Sequence, residues 1–172
     1  MVISTKRGGF MLQYVEYVSP IGKLLLTEEA GCLTKILIGV DAPENALPAP
    51  EDPALKMAMD ALDVYFRGEI PETEGIPVRL EGSEFSRQVW QILRKIPHGQ
   101  VRTYGSIARE MAAITGRKMS AQAVGQAVGR NPISILIPCH RVVGTRGKLT
   151  GYAWGVEKKQ WLLNHEKWNG II

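Results

Sequence analysis

The residues Ile133-Ser134-Ile135-Leu136-Ile137-Pro138-Cys139-His140-Arg141-Val142-Val143 constrain this chain more than any other stretch. An almost unbroken apolar run of this length reads as a buried strand or an extended core segment. Pro138 has no N–H and fixes its own φ, so regular pairing must stop there. Cys139 then stands where a buried segment meets a turn, with His140 directly after it and Arg141 and Asn131 nearby in sequence. That is a place for a reactive thiol. It is also a place for a core cysteine, since free cysteines are among the most buried residues, and the segment alone does not decide between the two.

The 172 residues can hold one full domain or two small ones. No stretch approaches the ~18 consecutive apolar residues of a membrane span, so no membrane partner is expected. Met1 to Phe10 contains Lys6 and Arg7 with no apolar run behind them, which does not read as a signal peptide. The two cysteines, Cys32 and Cys139, lie far apart and build neither a disulfide framework nor a zinc site, so no metal is expected. A reducing, cytoplasmic setting follows. Charge is split along the chain: residues 1–83 hold 7 Lys and Arg against 13 Asp and Glu, and residues 84–172 hold 14 against 4. Such a split points to a polyanion, nucleic acid above all, meeting the second half.

Leu12 to Val18, Leu24 to Thr27 and Leu33 to Val40 read as strands, separated by the turn residues Ser19-Pro20-Ile21-Gly22 and Ala30-Gly31. Residues 41–53 form a loop. Leu55, Met59, Leu62 and Phe66 recur at helical spacing until Gly68. Residues 68–83 look like a linker with a short strand near Val78, and Cys32 beside a turn glycine reads as structural.

The second half reads as mostly helical. Ser83 caps a helix with Phe85, Val89, Ile92, Leu93 and Ile96 on one stripe, ended by Pro97-His98-Gly99. Tyr104, Ile107, Ala108 and Met111 suit a second helix closing at Thr115-Gly116. Ser120 caps a third, burying Ala121, Val124 and Val128 and closing at Gly129. Two short helices joined by a turn in a basic half make a helix-turn-helix plausible. Gln122, Gly125, Gln126 and Gly129 share the third helix's outer face. A helical glycine costs roughly 1 kcal/mol against alanine, so two on one face suggest a close approach to the backbone. A glycine-rich loop, Gly144 to Trp154, leads to a last helix over Val156 to His165 with Trp161, Leu162 and Leu163 on its buried side. Glu166 at its end is a surface carboxylate unless a histidine from elsewhere pairs with it.

Pro138-Cys139-His140-Arg141-Val142 resembles the active-site signature of the O6-alkylguanine-DNA alkyltransferases, the methylated-DNA–protein-cysteine methyltransferases. The similarity takes in Phe85 through Tyr104, Ala123-Val124-Gly125, Asn131-Pro132, Gly151-Tyr152-Ala153-Trp154-Gly155 and Trp161 to Glu166. With Ser19 to Gly22 and Leu62 to Gly68 it covers about nine-tenths of the chain. The resemblance implies an α+β fold. A small sheet-bearing, RNase H-like domain would occupy residues 1–80, and a helical winged-helix or helix-turn-helix domain, DNA-binding and catalytic, residues 81–172.

By resemblance, Cys139 accepts the alkyl group of O6-alkylguanine irreversibly, and O4-alkylthymine is a further candidate substrate. His140 deprotonates the thiol through a water and Glu166 orients the imidazole. Asn131 braces the turn that carries the cysteine. Tyr104 donates to the guanine ring, the carbonyls of Cys139 and Val142 accept from its exocyclic amine, and the Ala153 N–H meets O6. Pro138 and Trp154 form pocket walls. Arg102, Thr103, Ala121, Gln122, Gly125 and Arg130 are the expected DNA contacts, made from the minor groove by a monomer that flips the base out of the duplex. No cofactor is expected. The chain departs from many relatives by placing Gln122 where they place an arginine, and by a longer connection from Tyr104 to the third helix, around Gly116-Arg117-Lys118. A binding-only relative, a cysteine hydrolase and a helix-turn-helix regulator remain the alternatives.

Overall fold

The computed structural model describes residues 11–168 and 170–172; the reading of Met1 to Phe10 lies outside them. The described residues fold as two compact units, the first running from residue 11 to Leu80 with Pro132–Leu136, and the second Glu81–Asn131 with Ile137–Ile172.

In the first unit β1 (Gln13–Ser19), β2 (Gly22–Glu29) and β3 (Cys32–Ile38) form an antiparallel meander. The β2–β3 turn places Ala30 and Gly31 at φ 55° and 78°, the two positive angles that match strand twist in a tight hairpin. The two-residue β4 (Leu47–Pro48), inside the expected loop, pairs parallel with β1 and completes the order β3-β2-β1-β4. Leu24, Leu25 and Leu26 on β2 are all wholly buried, so both faces of that strand are covered. Helix α1 (Pro53–Phe66) starts at the Asp52 cap and turns Leu55, Ala58, Leu62 and Tyr65 into the core, packing on β1 to β3. Each buried leucine there contributes about 1.5–3 kcal/mol.

The free edge of β3 is met twice by short pieces of chain. Leu33 bridges Val78, which is all that the expected strand near Val78 amounts to. Ile36 bridges Ile133, through Ile36 N–H to the Pro132 carbonyl (2.9 Å) and Ser134 N–H to the Ile36 carbonyl (3.2 Å). Of the run 133–137, Ile133, Ser134, Ile135 and Ile137 are buried as expected and Leu136 is half-buried, but the run is not a strand. Ile135 adopts φ 72°, and Leu136 N–H folds back to the Ser134 carbonyl at 2.9 Å. This γ-turn, costly for a β-branched residue, ends the ladder after one bridge.

In the second unit Ser83, Thr103 and Ser120 cap α2 (Glu84–Arg94), α3 (Tyr104–Thr115) and α4 (Ala121–Gly129) through side-chain oxygens. Gly116 closes α3 in the left-handed region. Trp90 donates its indole N–H to the Ala127 carbonyl at 2.9 Å, tying α2 to α4. The buried stripe of α4 is Val124, Ala127 and Val128. Ala121, expected in that stripe, is exposed, because it opens the first turn beside the Ser120 cap. Helix α5 spans Val156–His165; its Leu162 and Leu163 are buried, whereas Trp161 is half-buried and stacks on His165. A three-stranded parallel sheet, β6-β5-β7, was not expected: β5 (Gln100–Thr103) lies between β6 (Val142–Val143) and β7 (Gly170–Ile171). Val101, Val143 and Leu163 form the core beneath it.

Among the described residues no helix is long and apolar enough to cross a membrane, and no group of His, Cys, Asp and Glu could hold a metal ion.

Candidate active site

Pro138 (φ −81°, ψ 66°) is the centre of an inverse γ-turn in which Cys139 N–H donates to the Ile137 carbonyl at 2.8 Å. The same carbonyl accepts from Asn131 Nδ2 at 2.7 Å, so Asn131 holds the turn that delivers the cysteine. Cys139 opens a 3-10 turn through Arg141 and is 5% exposed. Burial pushes its thiol up from the ordinary value, while the Asn131 side chain, the Lys159 charge and Tyr152 pull it back. A thiol held up by burial is a poor nucleophile until something removes its proton.

His140 supplies the means. It is wholly buried, and its Nε2 lies 2.5 Å from Glu166 Oε1. Burial lowers the imidazole's pKa, and Glu166 opposes that. Burial alone would raise Glu166, but His140 and Arg141 hold it well below the usual carboxylate range. Arg141 grips both oxygens, Nε to Oε2 at 2.8 Å and Nη2 to Oε1 at 3.0 Å, and its Nη1 reaches the Ile96 carbonyl at 2.7 Å. Gly99 N–H adds a fourth donor, to Oε2 at 3.1 Å. Glu166 is therefore an ionised carboxylate in the interior, set against an imidazole whose charged form burial disfavours.

A cavity of about 150 Å³ opens at Cys139. Tyr104 and Asn131 flank the thiol, Gly125, Val128 and Gly129 of α4 make one wall, and Gly151 to Trp154 make another. Of the residues expected to bind substrate, Tyr104, Ala153 and Trp154 line this space together. Pro138 is buried and is not among the lining residues; its part is the turn. Val142 is buried too, and its carbonyl accepts from Lys159. The close approach expected at the α4 glycines is not seen at Gly125, where a β-carbon would make an ordinary 3.7 Å contact with the Tyr104 ring. At Gly129 it would meet nothing.

The expected DNA contacts are spread more widely. Ala121, Gln122 and Arg130 are exposed along α4 and its end. Thr103 caps α3, and Arg102 is turned to Glu110 (2.5 Å) and the Ser106 hydroxyl (3.3 Å).

Sequence reasoning passed over Lys159, which is wholly buried. Its ammonium donates to the carbonyls of Val142 (2.5 Å), Gly151 (3.2 Å) and Thr150 (3.3 Å), and lies 5.7 Å from the centre of the Tyr104 ring. Burial lowers its pKa to about 8, against a raising effect from Cys139. The signal was present: Lys159, Leu162, Leu163 and Glu166 follow i, i+3, i+4, i+7, so a cation lies on the buried stripe.

Residues 84–168 match the family described as 6-O-methylguanine DNA methyltransferase, DNA binding domain. A methylated-DNA–protein-cysteine methyltransferase of Mycobacterium bovis is 41% identical over 159 residues, covering 91% of this chain and 93% of the relative. One from Shigella flexneri is 50% identical over 107 residues, 62% of this chain and 60% of its own. The crystal structure of the Mycobacterium tuberculosis O6-methylguanine methyltransferase superposes with a TM-score of 0.79 at 40% identity, over 91% of this chain and 93% of that one. That of the M. tuberculosis OGT in complex with DNA gives 0.76 at 39%, over 91% and 92%. With this likeness running through both units, the chain belongs to the methylated-DNA–protein-cysteine methyltransferase family.

Proposed function

We infer that this chain reverses O6-alkylguanine damage in DNA by moving the alkyl group to its own Cys139, once per molecule. The observation that carries the reading is the coincidence, within one compact unit, of a nucleobase-sized cavity, a thiol at its floor and a buried His–Glu pair beside that thiol. The neutral imidazole of His140 takes the thiol proton through a water, with Nε2 held by Glu166 so that Nδ1 serves the sulfur. The thiolate attacks the alkyl carbon, the carbon–oxygen bond breaks, and guanine leaves with the electron pair on O6 and regains a proton. The balance needs no cofactor. The thioether has no route back, so the protein is consumed.

Tyr104 donates to the guanine ring, and the Ala153 N–H faces O6. The carbonyls of Cys139 and Val142 receive the exocyclic amine, Val142 sharing its oxygen with Lys159. Asn131 fixes the turn and Trp154 closes the wall. A purine can reach such a site only by leaving the stack. The second unit, Glu81–Asn131 with Ile137–Ile172, thus acts as the winged-helix domain expected over residues 81–172, and its α3–α4 helix-turn-helix lies in the minor groove. Ala121, Gln122, Gly125 and Arg130 meet the strand, with Thr103 and Arg102 near the start of α3. Residues 1–80 form an RNase H-like partner domain, and the protein works as a monomer on lesion-bearing duplex. A reducing, cytoplasmic compartment suits a reaction that needs a free thiol.

Mixing the protein with duplex DNA carrying O6-methylguanine is expected to add one methyl mass to the Cys139 peptide, with repaired guanine levelling off near one per protein. Binding with no covalent change would leave a recognition protein, and sustained turnover would mean a hydrolytic or oxidative demethylase.

Gln122 offers a second prediction. Extrusion costs a few kcal/mol and leaves a base unpaired. The exposed Gln122 can both donate to and accept from that base through its amide. Gln122→Ala should slow repair of duplex while sparing reaction with free O6-methylguanine, and Gln122→Arg should tighten binding to lesion-bearing duplex. Equal losses on both substrates in Gln122→Ala would remove Gln122 from the flipping step.

A further inference from the structure

We propose that Arg141 is a positioning residue that divides the charge of Glu166 with His140 and thereby keeps Cys139 a thiol at rest. The inference rests on the reading of Cys139 as the acceptor and His140 as its base.

The geometry is a carboxylate with more donors than a simple His–Glu pair requires. Each oxygen of Glu166 is shared: Oε1 between His140 Nε2 and Arg141 Nη2, Oε2 between Arg141 Nε and the Gly99 N–H. The fork is locked by the third guanidinium contact, to the Ile96 carbonyl, so Arg141 cannot swing away while keeping its bonds. Glu166 has no exposed side-chain surface and Arg141 little, at 11%. An arginine is always charged and meets a carboxylate best in this two-pronged way. A glutamate facing only a histidine would stabilise the imidazolium strongly in a dry interior. Here a permanent cation occupies the same carboxylate.

The other charged or titratable groups around His140 do not undo this. Along α5, Lys159 also disfavours an imidazolium, and only Glu166 favours one. Beyond them His98, before β5, and His165, at the end of α5, add no further carboxylate; burial lowers the His98 pKa. Between thiol with imidazole and thiolate with imidazolium, one proton moves from Sγ to the ring and nothing else is consumed. Arg141 makes the second state dearer. A single-use acceptor gains from this, because the thiolate is the form that stray electrophiles and oxidants attack.

The test is the pH dependence of Cys139 alkylation by iodoacetamide, read by peptide mass in a Cys32→Ser background. Arg141→Gln is expected to react roughly tenfold faster at neutral pH, the scale of one opposite-charge contact, with its midpoint moved to lower pH. Arg141→Lys, which keeps the charge but loses the fork, should fall between that variant and wild type. A midpoint unchanged or raised in Arg141→Gln would reduce Arg141 to a structural tie and overturn the proposal. Should Arg141→Gln fail to fold, nitrogen NMR of wild-type His140 decides: a neutral ring at pH 7 supports the proposal and an imidazolium overturns it. Iodoacetamide needs no DNA, so a wild type that never takes methyl from O6-methylguanine would sink the repair reading without disturbing this comparison.

Discussion

Cys139→Ala is expected to take up no methyl group from O6-methylguanine DNA while binding that DNA as well as wild type does. The loss is complete rather than partial because Sγ is the atom on which the product forms, and neither alanine nor a neighbouring oxygen can replace it. Binding survives because Cys139, 5% exposed on the floor of the cavity, offers nothing to a phosphate. The missing sulfur leaves only a small void, at a cost of about 1 kcal/mol on the scale of core truncations, so the fold should hold. Methyl transfer measured by mass and binding measured by gel shift separate the two effects. Residual transfer in the variant would require another acceptor and would end the assignment.

The second large effect is expected at Lys159. Lys159→Met keeps the volume but removes the donors to the Val142, Thr150 and Gly151 carbonyls. At about 1–3 kcal/mol for a buried acceptor left without a partner, which applies to the Val142 carbonyl and not to the exposed Thr150 and Gly151, the loss should reach about 1–3 kcal/mol in urea unfolding. Methyl transfer should also slow, because the loop bearing Ala153 and Trp154 and the carbonyl of Val142 lose their shared anchor. The pH dependence has a definite sign. With its folded pKa lowered to about 8 from 10.5, Lys159 is protonated in both states below about pH 8. Between there and 10.5 the unfolded chain holds a proton that the folded one does not, so this group makes stability rise with pH across that window. The raised thiol of Cys139 acts in the opposite sense above its ordinary value. The contribution of Lys159 is therefore read from the difference between wild type and Lys159→Met, which should carry the rising slope. A difference that is flat from pH 8 to 10.5 would refute it.

Local signals carried the sequence reading a long way. Ser83 and Ser120 as caps, Gly116 as a terminator and the stripes of α1 and α2 are each written within a few neighbouring residues, and the helices they define are present. The pairing of Glu166 with a distant histidine depended on the resemblance, since 26 positions separate it from His140 and no periodicity spans them. What was missed depends on long-range pairing. Strands β5, β6 and β7 are two to four residues long, too short for an alternating pattern, and each exists only because the others lie beside it. The run from Ile133 was read by its hydrophobicity, which gives burial but not conformation; the positive φ of Ile135 has no glycine or asparagine to announce it. Ala121 fits the apolar spacing of α4 and yet faces outward, because spacing does not tell which end of a helix its neighbours cover. Lys159 was passed over and Arg141 was noted only as a neighbour of Cys139, because paired charges in a closed site are the exception that hydrophobic patterning cannot see.

The bridge between Ile36 and Ile133 has a bearing on how the molecule is made. During synthesis β3 emerges early, but the segment that occupies this part of its edge follows about a hundred residues later, a delay of about 5–20 s at ordinary elongation rates. Through that interval the Ile36 N–H and carbonyl stand open on a strand of apolar residues, the kind of edge that invites pairing with another chain. The nascent protein is thus most exposed to misassembly just before the cysteine-bearing turn is translated. Slow codons or a stalled ribosome between residues 40 and 130 would cost yield of active molecules without altering one side chain of the finished site.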